Sequence, residues 1–433
     1  MIRLTPSPPL DAACPHDGSG LHAHGWAIPG MRCLAEASCP ECNRRYYVDL
    51  PAGNGLLTPM TLDADTGEVF NADTAPWFAT WLADSYSQRH LDTLPSIKVE
   101  KFRTLQRPLL INALDRLYGH GLLKLLSLQR DLEQHPDHDI IALVPSYLRW
   151  MVPPGVAEIW SVDWPQATGS RWSAKLDHWV HDKLSLFDDA KLSHATPHPA
   201  PRDVTIERFT SVAPFPQSNW QHASTKPIIT FIWRDDRTWP EPIPAGRRRA
   251  KLNTWLNRIG LATTPDPRMT QKQHVEALAA QLTKRFPALD FAIVGPGEPE
   301  SWNACINDLR EPRITPAIER QWCQRYASSH VVIGVHGSNM LLPSAHAGSV
   351  IDLMPRTRWQ NLGQDLLLRD DDPRREIYRC RAIPASASVS EVVRITQELL
   401  RHTRDHLAQT HCRSDQSQHQ RPIIPHHQEP AAA

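Results

Sequence analysis

Four short apolar runs constrain this chain more than any other feature: KPIITFIW (Lys226–Trp233), DFAIVG (Asp290–Gly295), HVVIGV (His330–Val335) and GSVIDLM (Gly348–Met354). Each is continuous rather than alternating, the pattern of a strand covered on both faces. Helical periodicity separates them, in GRRRAKLNTWLNRIG (Gly246–Gly260), MTQKQHVEALAAQLTKRF (Met269–Phe286) and TPAIERQWCQRYASS (Thr315–Ser329). Strands alternating with helices imply an α/β layer built on a parallel sheet. The same alternation starts earlier, with DIIALVP (Asp139–Pro145) and VAEIWSVD (Val156–Asp163). A chain of 433 residues has room for two such units.

The remaining segments set the expected boundaries. Residues 1–13 read as a flexible arm, and residues 14–75 as a Cys- and His-rich module ending in LDADTGEVF, a strand, turn and strand. A helix is expected from Trp77 to about His90. Residues 76–192 form the first α/β unit, in which Arg107–Gln134 is helical in period with Gly119 and Gly121 as interruptions. The Pro-rich stretch 193–225 reads as a linker, 226–412 as the second unit, and 413–433 as a disordered polar tail. Ser388 and Glu391 have the spacing of a capping box that opens the last helix.

Lys+Arg and Asp+Glu both number 47, so the formal net charge is zero. A general nucleic-acid binder needs an excess of basic charge, so that class drops out. MIRLTPSPPL lacks the apolar core of a secretory signal, and no apolar run approaches the ~20 residues of a spanning helix. The expectation is a cytoplasmic protein without a transmembrane segment, working free or peripherally at the inner face of a membrane.

The run HVVIGV ends in His336-Gly337-Ser338-Asn339. Glycines let a backbone turn tightly and approach a ligand. Ser338 or Asn339 can cap the following helix, Pro343 fits its first turn and Gly348 its end. Polar residues at the carboxyl end of a parallel strand, facing a helix start, stand where open α/β sheets bind ligands and phosphates. The alternative is an ordinary strand-to-helix turn with His336 as a structural hydrogen-bonding residue.

This segment resembles the C-terminal signature of glycosyltransferase family 61, a strand followed by Gly-x-His-Gly-Ala-Gly-Leu-Thr-Asn, a Pro-Gly turn and a strand ending in an acid. Gly334, His336, Gly337, Ser338-Asn339-Met340, Gly348 and Asp352 carry the match. ITFIWRDDRTW resembles the family's strand ending in Arg-x-x-Arg, at Arg234 and Arg237. LYGHGLLKLL resembles its Tyr-x-His motif, at Tyr118 and His120. The resemblance spans roughly residues 100–385. Ser338-Asn339 replaces the usual Ala-Gly, and Glu319 and Gln321 lie near the family's acid and Gln but offset from them.

The resemblance implies an α/β fold of two Rossmann-like domains, the GT-B type, with the small Cys-rich module added at the N-terminus. It implies a hexosyl- or pentosyltransferase of polysaccharide biosynthesis. The sugar would pass from a nucleotide-sugar donor, a UDP-sugar, to a glycan or other hydroxyl acceptor, with inversion and without a catalytic metal. Arg234 and Arg237, with the helix start at Ser338–Met340, would hold the diphosphate, since planar guanidinium forks pair with phosphate oxygens. His336, Gly337, Ser338 and Asn339 would form the donor floor, and Asp352 would bind ribose hydroxyls. A base must take the acceptor proton; His120 is the first candidate and Asp163 the second. Asp63 and Asp65 have Asp-x-Asp spacing but sit in a turn, where they read as turn residues.

CPEC (Cys39, Cys42) looks like one knuckle of a zinc ribbon, two thiolates on a tight turn. Cys14 and Cys33 would complete a structural zinc site, or one Cys with His22 or His24; buried thiols without metal are the plainer reading. Two other functions stand beside the transferase: a non-catalytic nucleotide- or sugar-binding protein on the same fold, and a Ser hydrolase using Ser338. The hydrolase reading lacks the Gly-x-Ser-x-Gly elbow, because Asn339-Met340 follows Ser338.

Overall fold

A computed structural model describes residues 1–401 apart from residues 74, 92, 166–168, 201–203, 224, 242–265, 304, 365 and 368–378. The helix expected at 246–260 and the tail at 413–433 lie outside the described residues.

The chain opens with β1 (Ile2–Arg3), which pairs antiparallel with a strand of the first α/β sheet, and Leu4 is fully buried. The arm expected over 1–13 is therefore partly an edge strand, because Ile2 and Leu4 have a core to fill. An antiparallel meander follows: β2 (His22–Ala27), β3 (Leu34–Ser38), β4 (Arg45–Asp49), β5 (Thr61–Asp63) and β6 (Val69–Phe70). Asp63 accepts from the amides of Asp65 at 2.9 Å and Thr66 at 2.8 Å, so it is the turn residue expected. Helix α1 (Pro76–Ser87) starts on a proline and buries Phe78, Ala79, Leu82 and Tyr86. These pack on Leu34 and Leu62 of the meander, so the module extends past residue 75 to include α1.

The first α/β unit contains β7 (Ser96–Lys101), β8 (Pro108–Asn112), α2 (Tyr118–Leu126), α3 (Leu128–Gln134), β9 (Asp139–Pro145), β10 (Glu158–Asp163), α4 (Ala174–Leu184) and β11 (Lys191–Leu192). Its sheet order is β1-β11-β8-β9-β10-β7, with β11, β8, β9 and β10 parallel. PLLIN, expected as the start of a helix, is β8, buried at every residue. A five-residue apolar run has no period that separates a buried strand from a buried helix turn.

The stretch 193–225 is not a free linker. It includes α5 (Glu207–Thr210) and buries Val204, Ile206, Phe209 and Val212 in a core shared by both units. Thr210 Oγ1 lies 3.0 Å from His346 Nε2, and the Phe215 amide donates to His346 O at 2.7 Å.

The second unit contains β12 (Ile228–Ile232), α6 (Pro267–Arg285), β13 (Asp290–Pro296), β14 (Asn307–Glu311), α7 (Pro316–Ser328), β15 (Val331–Val335), α8 (Leu341–His346), β16 (Val350–Met354), β17 (Cys380–Pro384) and α9 (Val389–Arg401). All its strand pairs are parallel and the order is β14-β13-β12-β15-β16-β17. That is the Rossmann order, with its topological switch point between β12 and β15. Two Rossmann-like α/β units and the Cys-rich N-terminal module are thus present. The capping box opens α9: Ser388 N donates to Glu391 Oε2 at 2.8 Å, and Glu391 N to Ser388 Oγ at 3.3 Å. Trp26, Trp160, Trp233 and Trp239 are fully buried, so these tryptophans are core anchors. Among the described residues no helix is long and apolar enough to cross a membrane.

The module docks on the first unit through Asp177 of α4, whose Oδ1 accepts from the Ile28 amide at 2.5 Å. Burial pushes the Asp177 carboxyl from its ordinary 3.8 up to about 7, with the Ile28 bond opposing. The folded protein then binds this proton more tightly than the unfolded chain. Its contribution to stability is complete below the unfolded value and is lost as pH rises through about 7. Asp177→Asn is expected to remove this part of the pH dependence. Comparing urea midpoints of the two proteins from pH 4 to 8 checks it, and parallel curves would count against it.

Candidate functional site

Strands β12 and β15 run side by side, with Ile232 opposite Gly334. Two residues further on, Arg234 and His336 emerge together at the switch point. Arg234 Nη1 donates to Asn339 Oδ1 at 2.6 Å and to the His336 carbonyl at 3.3 Å. Arg237 Nη1 donates to the same carbonyl at 2.8 Å. Two cations thus converge on one peptide. Gly337 makes this approach feasible: at φ 150° and ψ −178° it occupies a region essentially reserved for glycine. A Cβ there would sit 2.5 Å from Arg234 Nη1 and 2.9 Å from Arg237 Nη1. Asp236 fills the other side of the Arg234 fork, with Nε–Oδ1 at 2.7 Å and Nη2–Oδ2 at 2.6 Å. That bond from Arg234 holds the Asp236 carboxyl below its usual range.

The helix after Gly337 is short: one 3-10 turn, Ser338–Met340, and then the six residues of α8. Its aligned peptides are few, so the guanidiniums supply most of the positive charge here. Asn339 caps the strand end, donating from Nδ2 to Val335 O at 3.1 Å.

On β16, Asp352 pairs opposite Gly334. Its Oδ2 lies 2.7 Å from His336 Nδ1, so that nitrogen donates to the carboxylate. Both side chains are buried, at 5% and 2% exposure. Asp352 was expected at a ribose; instead it stands behind His336 and orients the imidazole. A Cβ at Gly334 would sit 2.6 Å from Met340 Sδ, so the missing side chain makes room for Met340.

The opposite wall comes from the turn between β8 and α2. His120 lies in the first turn of α2, 3.9 Å from Asp115 through Nδ1, a buried atom without a hydrogen-bond partner. Its ring meets those of Trp77 and Phe78, with centroids 6.5 and 6.0 Å away. Burial pulls its pKa below the ordinary 6.5, and Asp115 opposes this. Asp115 is buried and paired with the fully buried Lys124 at 3.0 Å, and it accepts from Asn54 Nδ2 at 2.9 Å. The Asn54 bond connects the N-terminal module to the turn that carries His120.

The two units touch at Gly119, where a Cβ would sit 2.6 Å from Ser338 Cβ. They are bridged by Glu319 of α7, which accepts from the Tyr118 hydroxyl and from Trp150 Nε1, the latter at 2.9 Å. Burial pushes the Glu319 carboxyl up, and both bonds oppose this. The cleft holds two adjoining cavities of about 500 and 560 Å³ that share Tyr118, Arg234, Asp236 and Ser338. Glu319 and Tyr147 line the first; His120, His198, Arg237 and His336 line the second.

Of the residues singled out from sequence, Arg234, Arg237, His336, Gly337, Ser338, Asn339 and His120 therefore meet in one cleft. Asp163 does not: it is exposed at the end of β10, opposite Ser96, and lines neither cavity. Cys14, Cys39 and Cys42 come together, with Asp17 as the fourth group. Cys33 does not join them. It begins the turn into β3, buried against Asn112 Nδ2 at 3.4 Å, where burial pushes its thiol up to about 11. Sequence reasoning missed Asp115, Lys124 and Trp150. The lone Lys in GLLKLLSL was the one available signal, since a cation on an apolar stripe needs a partner if it is buried.

No family model matches the chain, and no curated protein matches it. Similar solved structures include the ADP-heptose lps heptosyltransferase II of E. coli, at 12% identity and TM-score 0.36, covering 68% of this chain and 98% of that one. The glycosyl transferase family 9 structure from Veillonella parvula is 8% identical, with TM-score 0.37 and coverage of 70% and 99%. TarM is 10% identical, with TM-score 0.25 and coverage of 87% and 63%.

Proposed function

We propose that this chain is a glycosyltransferase. It transfers a sugar from a nucleotide-sugar donor, a UDP-sugar, to a hydroxyl of a glycan or similar acceptor, with inversion and without a catalytic metal. The observation that carries the reading is the pair of guanidiniums that donate to the His336 carbonyl at the switch point, across a cleft from the half-buried His120. Ligands of open α/β sheets bind at that point. Fixed cations there neutralise a leaving diphosphate without reorganising.

In this reading Arg234 exchanges the Asp236 carboxylate for diphosphate oxygens, and Arg237 joins it. The acceptor oxygen attacks the anomeric carbon as the bond to the diphosphate breaks, and the nucleoside diphosphate leaves with the electron pair. His120 takes the acceptor proton. Nδ1 faces the Asp115 carboxylate at 3.9 Å, which favours the tautomer protonated there and leaves Nε2 to accept. His336, oriented by Asp352, contacts the donor. The Gly-x-Ser-x-Gly elbow of a Ser hydrolase is missing around Ser338, which Asn339-Met340 follows.

Calorimetry with UDP tests the site. Arg234→Ala is expected to weaken UDP binding by about 1.5–3 kcal/mol, the range for a hydrogen bond to a charged group. Unchanged affinity would remove Arg234 from the site. A donor-turnover assay separates the enzyme from a non-catalytic binder, which holds the nucleotide sugar and leaves it intact.

A further inference from the structure

We propose that Cys14, Asp17, Cys39 and Cys42 bind one zinc ion, with Asp17 as the fourth ligand and Cys33 outside the site. The proposal stands apart from the transferase reading. The four ligand atoms lie within 4.8 Å of one another. Two sulfurs at ~2.3 Å from a tetrahedral zinc stand about 3.8 Å apart, and a sulfur and a carboxylate oxygen about 3.5 Å. Cys14 Sγ and Cys42 Sγ are 3.7 Å apart, and Cys39 Sγ lies 3.3 and 3.6 Å from the two Asp17 oxygens. Those match two opposite edges of such a tetrahedron. A disulfide would bring two sulfurs to ~2.05 Å and strand the third.

The surroundings fit thiolate ligands. Cys39–Cys42 forms a tight turn in which Asn43 takes φ 58° and its amide donates to Cys39 O at 3.0 Å. That turn aims the Cys42 amide at Cys39 Sγ, 3.3 Å away. The Tyr46 hydroxyl lies 3.4 Å from Cys14 Sγ, while the Ser19 hydroxyl, 3.0 Å from Cys39 Sγ, donates to Asp17 Oδ1 at 2.5 Å. Donors of this kind hold metal-bound thiolates in place. Asp17 is fixed by the Ser19 amide, which donates to Oδ1 at 2.9 Å.

The site also explains how this corner of the module is held. Its apolar cluster is small, with Leu21, Ala37, Tyr46 and Val48 beside the cysteines. Small cores of this kind are commonly completed by a metal. The ion would tie the Cys14–Ser19 turn to the β3–β4 hairpin.

Elemental analysis of the full chain, purified without added metal, is expected to find about one zinc per chain. Cys33→Ser is expected to keep it. Asp17→Ala, at an exposed position that leaves the core intact, is expected to lose zinc to a chelator at least ~10–100-fold more readily, the loss seen for supporting residues alone. Cobalt(II) added to metal-free protein is expected to give a thiolate charge-transfer band in the wild type. Folded protein that takes up neither zinc nor cobalt would overturn the proposal. So would a mass showing a Cys14–Cys42 disulfide, or zinc retained by Asp17→Ala at wild-type affinity and lost by Cys33→Ser.

Discussion

Lys124→Met lowers the stability of the folded protein by about 3–5 kcal/mol, the usual cost of removing one partner from a buried ion pair. Lys124 is fully buried, 3.0 Å from Asp115, and also donates to Leu114 O at 2.5 Å. Burial raises the Asp115 carboxyl, but Lys124 and then His120 lower it further, leaving it below its ordinary value. A depressed carboxylate contributes stability above its unfolded pKa and loses it as pH falls. Without Lys124 the burial is uncompensated and the carboxyl moves up. The deficit of the variant is then largest at neutral pH and shrinks as acid protonates Asp115. Urea unfolding at two pH values measures both effects. Lys124→Met with Asp115→Asn is expected to recover much of the loss, because no charge is left stranded. A single-variant deficit under ~1 kcal/mol would show that the pair contributes little.

Gly337→Ala is expected to lower UDP affinity about 100-fold or more while the protein stays folded. Its Cβ would stand 2.5 and 2.9 Å from the two guanidiniums, so both must leave the His336 carbonyl. Each charged donor contributes about 1.5–3 kcal/mol, so two displaced together give an effect of this size. Forcing alanine into this backbone region adds about 1–3 kcal/mol of strain. Gly363→Ala separates the two costs. Gly363 also has positive φ, 84°, but nothing lies within 4 Å of its Cβ position. It is expected to show strain without loss of nucleotide binding. Circular dichroism confirms folding and calorimetry measures UDP; wild-type affinity in a folded Gly337→Ala protein would take the Gly337 peptide out of the donor site.

The legibility of the site differed from residue to residue. Arg234, Arg237 and His336 stand at strand ends, and a strand end is visible in sequence because the apolar run stops there. His120 stood out through its flanking glycines, one of which accommodates Ser338 of the other unit. Asp352 was visible but misplaced in role. Its place near the end of an apolar run suggested a ligand contact, and only the fold shows its carboxylate 2.7 Å from His336 Nδ1. Cys33 read as a ligand, and Asp17 was not singled out. The ligand reading of Cys33 followed spacing along the chain, whereas ligand sets form across it.

The residue pattern by itself determined four of the six parallel strands of the second unit (β12, β13, β15 and β16), the meander's last turn, the capping box of α9 and the Cys39–Cys42 turn. Each is a local matter: continuous apolar runs, turn residues and capping side chains act within a few positions. Tertiary structure alone decided the strand order. That order places Arg234 beside Asn339 across 105 positions and Tyr118 against Glu319 across 201. It also buries Lys124 on Asp115 and folds 193–225 into a shared core. The physical reason is that parallel neighbours are joined by long crossovers, so the strand that ends beside a given residue is chosen by the packing of whole layers. No local propensity carries that choice.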